Sequence, residues 1–371
     1  MKIKPFVLER YFAQYEFSVK YLLSCSDCEA LTRKELLEMA SPESLKMWED
    51  MTFHYTESPG HPVLREKICS LYEAMHPEET LVAVPEEAIF LAMHALLKKG
   101  DHLVCISPAY QSLYEIASSI GCEVTNWEIV EGEGQWHLDL EALEKALTPR
   151  TKMIVVNFPH NPTGYVPTPE EQAKIVSLAS DRGVYLFSDE MYRGLELEGS
   201  TPLKGACDLY RNAITLSGLS KTYSLPGLRV GWLASKNRDV LSRIATLKDY
   251  TTICNSAPSE ILGIMALENA PAIAAKNRAL VTRNLALARE FFSGHEDKFT
   301  WFEPKGSSIA YPRLDLDMDV FEFCEGAVRT KNVMVVPSKA LLDGSNHFRI
   351  GLGRVNFPEA LEVFGEYVEE I

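Results

Sequence analysis

Between residues 80 and 235 the chain alternates short apolar runs with amphipathic stretches, and this alternation limits the fold more than any other feature of the 371 residues. The strand-like runs are His102–Ile106, Cys122–Trp127, Met153–Val156, Val184–Phe187, Ala213–Leu216 and Val230–Leu233. Helices are predicted over Glu87–Lys99, Tyr110–Ile120, Glu141–Leu147 and Pro169–Ser180. Lys98-Lys99-Gly100 reads as a C-terminal stop, and Thr168 as an N-cap with Pro169 in the first helical position. Strands joined through helices cannot pair as hairpins. They imply a mainly parallel sheet covered on both faces.

The C-terminal part reads as α+β. Strands Phe299–Phe302, Ser308–Leu314, Val333–Val336 and His347–Ile350 mix with helices at Val320–Arg329 and Pro358–Val368. A long helix over Ala272–Phe292 connects this part to the sheet. Three parts are therefore expected: an aromatic-rich N-terminal segment, 1–45, packing with the smaller domain; a large α/β domain, 46–270; and a small α+β domain, 271–371.

Thirty-seven Lys plus Arg against 52 Asp plus Glu give a net charge of -15, the wrong sign for general nucleic-acid binding. No run approaches a signal peptide or membrane span, so a cytoplasmic protein without membrane partners is expected. Eight cysteines are too dilute for a disulfide scaffold. Cys25 and Cys28 have CxxC spacing, but no second pair or nearby His supports a metal site.

Ligands of open α/β sheets collect at the carboxyl ends of the strands. Past Val156 lies Asn157-Phe-Pro-His-Asn161-Pro-Thr-Gly164; past Phe187, Asp189-Glu-Met-Tyr192; past Leu216, Ser217-Gly-Leu-Ser220-Lys221, with Arg229 following. Each charge alone could be a cap or a solvated loop residue. Together, at successive strand ends, a carboxylate, an amine and a guanidinium favour a site for a ligand with both basic and anionic groups.

These pieces, in this order, resemble the class I/II aminotransferases, which are fold-type I pyridoxal-phosphate (PLP) enzymes. The resemblance covers nearly the whole chain. It rests on Tyr55-x₄-Gly60-x₃-Leu64-Arg65, Glu87-Ala88, Gly100-Asp101 with Pro108-x-Tyr110, and Asn161-Pro-Thr-Gly164. Asp189-Glu-x-Tyr192, Ser220-Lys221-x₇-Arg229-x-Gly231, Pro304-x-Gly306 and Arg349 complete it. It implies a mainly parallel seven-stranded sheet flanked by helices, with a smaller α+β domain, PLP as cofactor, and a homodimer with shared sites. The implied reaction moves an amino group between an L-amino acid and a 2-oxo acid.

By the same resemblance Lys221 forms a Schiff base with PLP and, once released, acts as the base. Asp189 pairs with the ring nitrogen, keeping it protonated. Asn161 and Tyr192 donate to the 3′-oxygen, and Tyr110 stacks on the ring. Ser220 and Arg229 hold the phosphate, which Tyr55 reaches from the neighbouring subunit, and Arg349 clamps the substrate carboxylate.

Two regions depart from the pattern. A Gly-containing turn usually precedes Glu-Ala, whereas here Val84-Pro85-Glu86 stands there. Pro85 has no N–H to offer a phosphate and Glu86 adds a like charge, so the backbone N–H groups of Glu86 and Glu87 are the expected donors. The segment Cys25-Ser-Asp27-Cys28-Glu29 replaces a motif that lines the substrate side. Ser26, Asp27 and Glu29 either face substrate, suiting a basic side chain, or cap a helix starting near Leu31. The N-terminal motif, Arg10-Tyr-Phe-Ala-Gln-Tyr15-Glu-Phe-Ser followed by Tyr21-Leu-Leu-Ser-Cys25-Ser-Asp27-Cys28-Glu29, also resembles capreomycidine-synthase-like enzymes, which cyclise a hydroxylated arginine. Lyase, cyclase or oxidase chemistry, on a basic amino acid such as an arginine derivative, thus stands beside transamination. A DNA-binding regulator on this fold would need a further N-terminal domain and a basic surface.

Overall fold

The computed structural model describes residues 2–132 and 134–371. Met1, where the N-terminal segment is expected to start, lies outside the described residues. Among the described residues the central sheet has eight strands, in the order Thr80–Ala83, Gly231–Ala234, Ala213–Gly218, Tyr185–Asp189, Thr151–Asn157, His102–Ser107, Glu123–Gly132 and Gln135–Leu138. The five from Ala213–Gly218 to Glu123–Gly132 run parallel. The three remaining pairings are antiparallel.

Six of the eight strands coincide with the apolar runs marked in the sequence, and two are additions, so the sheet has one strand more than the seven the resemblance implies. Glu123–Gly132 runs past Trp127 and turns back as Gln135–Leu138. Thr80–Ala83 was not marked in the sequence as a strand. It is fully buried and continuously apolar after Thr80, a pattern that periodicity cannot separate from a helix. The first helix stops at Leu96 rather than Lys99 because Leu97 turns extended and buries its side chain. Gly100 then takes the left-handed conformation of the turn, at φ +89°.

Both sheet faces are covered, so the inner strands read as continuous apolar runs. Met153–Val156, Leu186 and Phe187 are essentially inaccessible, each worth roughly 1.5–3 kcal/mol of burial. Thr168 does cap Pro169–Arg182, in a reciprocal box with Glu171.

A second core fills the C-terminal domain, where the 24-residue helix Ala270–Ser293 meets Phe299, Phe323, Phe348 and Phe364. The N-terminal segment reaches both parts. Tyr21–Leu22 pairs in parallel with Val333–Met334, and the Tyr15 hydroxyl donates to Glu325 at 2.6 Å. Arg33–Glu38 and Pro42–Glu49 pack on Ala257–Glu268 beside the sheet. No helix among the described residues is long and apolar enough to cross a membrane.

Candidate active site

The sheet order reverses between His102–Ser107 and Thr151–Asn157, which opens a crevice at their carboxyl ends. Asn157 and Asp189 lie opposite each other in register at the ends of adjacent strands. The Asn157 side chain fixes the turn on both sides: Nδ2 donates to the Asp189 carbonyl at 3.0 Å, and Oδ1 accepts the Asn161 N–H at 2.8 Å. Below them His160 is fully buried between Thr163 Oγ1 and the Pro108 carbonyl, and burial pushes its pKa down to about 3. His160 is thus a neutral brace for the loop.

Asp189 is buried, and the Met191 N–H donates to its Oδ1 at 3.1 Å. Burial raises its pKa to about 7; Lys221 lies close enough to oppose that rise. Lys221 is half-buried and its Nζ donates to Ser26 Oγ at 2.8 Å. The strand Phe348–Gly351 delivers Arg349, which is buried. Its Nη1 donates to Asn161 Oδ1 and its Nη2 to the Ser24 carbonyl, each at 3.1 Å. Its Nε, the Tyr192 hydroxyl and the Ser220 hydroxyl are buried without a hydrogen-bond partner among the described residues. Such groups cost about 1–3 kcal/mol each when left unpaired. A ligand offering a cation for Asp189 and several oxygen acceptors relieves them, and PLP with an amino acid has that chemistry.

Tyr110 packs on Phe6, with ring centroids 4.8 Å apart, and donates to Glu9 Oε1 at 2.7 Å. Its approach to Glu9, in the helix Val7–Tyr15, carries no local sequence signal, because about a hundred residues separate the two. Pro85 occupies the first position of Pro85–Leu96, as expected. A side chain on Gly231 would put its Cβ 2.7 Å from Pro85 Cγ, so the missing Cβ lets the helix start sit on the sheet. Glu86 does not turn away from the site: Ser112 Oγ donates to it at 3.2 Å, and burial, with Glu9 and Asp189 adding, raises its pKa to about 7. The Glu87 carboxylate does turn away, accepting from Thr251 and from Thr252 at 2.9 Å.

Other positions are exposed or engaged elsewhere, although Arg229 lies close enough to Glu86 for its charge to oppose that carboxyl's rise. Arg229 is exposed in a left-handed conformation, φ +54°, with Nη1 donating to the Pro226 carbonyl at 3.0 Å. Tyr55 is 89% exposed. Asp27 is engaged within the chain: Arg354 Nη2 donates to both its oxygens at 3.0 Å. Glu29 likewise accepts the Val355 N–H at 3.0 Å. Neither caps a helix: Thr32 does, in a box with Glu35 that was readable as Thr-x-x-Glu. Of that segment, Ser26 is the residue that reaches the site. Among the described residues no group of three or more His, Cys, Asp or Glu could hold a metal ion.

The family model for aminotransferase class I and II matches residues 22–362. Capreomycidine synthase of Streptomyces vinaceus is 31% identical over 71% of this chain and 67% of its own length. A PLP-dependent aminotransferase from Streptococcus suis superposes with a TM-score of 0.93 at 30% identity, covering 100% of this chain and 99% of that one. The PLP-dependent cyclase OrfR superposes with a TM-score of 0.91 at 25% identity, covering 100% and 98%.

Proposed function

The chain belongs to the class I and II aminotransferases, PLP-dependent enzymes of fold type I that move an amino group between an amino acid and a 2-oxo acid, and on that premise we propose how its own residues share the work. PLP, when bound, supplies an electron-withdrawing ring that stabilises negative charge at the amino acid's Cα. Asp189, desolvated at the floor of the crevice, holds the cationic ring nitrogen. Lys221 carries the cofactor and, when free, moves the Cα proton. Tyr192 and Asn161 hold the 3′-oxygen. Ser220, Arg229 and the N–H groups of Glu86 and Glu87 hold the phosphate. Arg349 clamps the substrate carboxylate, and Tyr110 walls the ring.

The observation that carries this reading is the convergence of Asp189 and Lys221, with Arg349 and Asn161 joined at 3.1 Å beside them. A homodimer would complete it: Phe53, Tyr55 and Tyr250 are each more than four-fifths exposed, large apolar side chains that a second copy, receiving Tyr55, would cover. The dimer is tested by sedimentation.

A second reading, cyclisation or elimination on a basic amino acid, draws on the likeness to capreomycidine synthase and to the cyclase OrfR. Glu16 also favours it. This half-buried carboxylate has no ion-pair or hydrogen-bond partner among the described side chains, and burial beside Asp27 and Glu9 raises its pKa. A donor screen that follows oxo acid, ammonia and peroxide together separates the two. Oxo acid formed in step with a new amino acid supports transamination; oxo acid released with an equivalent of ammonia supports elimination, and consumption of a basic amino acid with neither released supports cyclisation.

A further inference from the structure

Lys221 Nζ donates to Ser26 Oγ at 2.8 Å, and two residues earlier the Ser24 carbonyl accepts from Arg349 Nη2 at 3.1 Å. One short segment therefore touches both the amine and the guanidinium of the site. Its place is fixed by the strand beside it. The Gly351 N–H donates to the Leu23 carbonyl at 2.9 Å, and the Glu29 N–H donates to the Gly353 carbonyl at 2.7 Å. A Cβ on Gly351 would lie 1.9 Å from the Cys25 carbonyl oxygen, and one on Gly353 2.5 Å from that of Asp27. The residues on each side of Ser26 thus lie against bare backbone, in space no other residue type would leave. Ser308 Oγ donates to the Ser26 carbonyl at 2.8 Å as well.

We propose that Ser26 is a positioning residue for the Lys221 amine, and that the Ser24–Ser26 segment sets the distance between this base and the carboxylate clamp Arg349. The proposal rests on the reading of Lys221 as the base. A lysine amine on a four-carbon stem has many rotamers when it is not bonded to the cofactor. An acceptor on a rigid segment selects those that keep it on the side where Arg349 holds the substrate. Errors of an ångström in such alignments cost about a hundredfold in rate.

The test is Ser26→Ala beside Ser26→Thr, which keeps the hydroxyl. Ser26→Ala lowers kcat about tenfold, the worth of one such hydrogen bond. It raises the isotope effect of deuterium at Cα and leaves PLP affinity and the amino-donor KM unchanged; Ser26→Thr restores most of the rate. In protein freed of PLP, an amine-directed acylating reagent labels Lys221 faster in Ser26→Ala than in wild type, read by peptide mass spectrometry. A wild-type isotope effect and labelling rate in Ser26→Ala, or a parallel loss of PLP affinity, overturns the proposal. If wild type itself makes no oxo acid and binds no PLP, the aminotransferase reading fails instead, while the labelling arm still tests the Ser26–Lys221 contact.

Discussion

Arg349 and Asn161 are hydrogen-bonded at 3.1 Å, although one lies in the smaller domain and the other in the loop past the strand Thr151–Asn157. The bond aims a guanidinium from one domain into the crevice of the other. It leaves Nε unpaired in a buried site, where burial pushes the arginine pKa below its usual value. An anion arriving there meets a desolvated, prepaid orientation.

Arg349→Ala should therefore raise the amino-donor KM about a hundredfold, from loss of a two-pronged charge-assisted contact, with PLP affinity nearly unchanged. Steady-state kinetics and a PLP titration check this. Equal losses of both would place Arg349 somewhere other than the substrate carboxylate.

Lys221→Ala should leave a folded protein that lacks the absorbance near roughly 420 nm and the borohydride-fixed mass on this residue, and that turns over at least about a thousandfold more slowly. Circular dichroism controls for folding. Intact turnover would remove Lys221 from its assigned role.

Asp189 sets a pH dependence. Burial raises its folded pKa to about 7, above the roughly 3.9 of an unfolded chain. The PLP-free folded state then holds a proton that the unfolded chain has lost, so this group's contribution to stability falls as pH rises from about 4 to about 7 and is level above that. Asp189→Asn without PLP should melt higher than wild type at about pH 8 and match it near pH 4. Calorimetry reads the difference, and a constant gap across that range would contradict it. The same variant should lose PLP affinity, since an amide holds a cationic nitrogen poorly.

Glu86 should act against the phosphate. Its carboxyl, raised to about 7 by burial, becomes charged beside the phosphate cup in mildly alkaline solution. Glu86→Gln should tighten PLP binding about tenfold at about pH 8, with the gain shrinking near pH 6, where wild type is protonated. An absorbance titration at both pH values decides it; weaker binding in the variant would show that the carboxylate helps.

The alternating segments reported the sheet well because buried parallel strands must be apolar along their length, and their helices must show one apolar stripe. Thr80–Ala83 escaped because four buried residues carry no period, and Gln135–Leu138 because a hairpin extension at the sheet edge is half-exposed. Asp189, Lys221 and Asn161 were legible for a related reason. Strand ends are local features, and charges placed just past apolar runs stand out.

The contacts across the chain were not legible. Nothing in the order of residues pairs Asp27 with Arg354, which lies more than three hundred positions away. Ser26 could be named but not chosen over its neighbours, and Glu9 gave no sign of reaching Tyr110. Periodicity and strand-end chemistry reside in the order of residues, so the sequence alone determined the layers, the crevice and most of its charged groups. Which acids stay unpaired, and which hydroxyl meets the lysine, depend on packing between segments hundreds of residues apart, as where Gly351 and Gly353 leave room for the chain carrying Ser26. Only the tertiary structure decides those pairings, because a charge or hydroxyl has no preferred partner until burial removes water as the competitor.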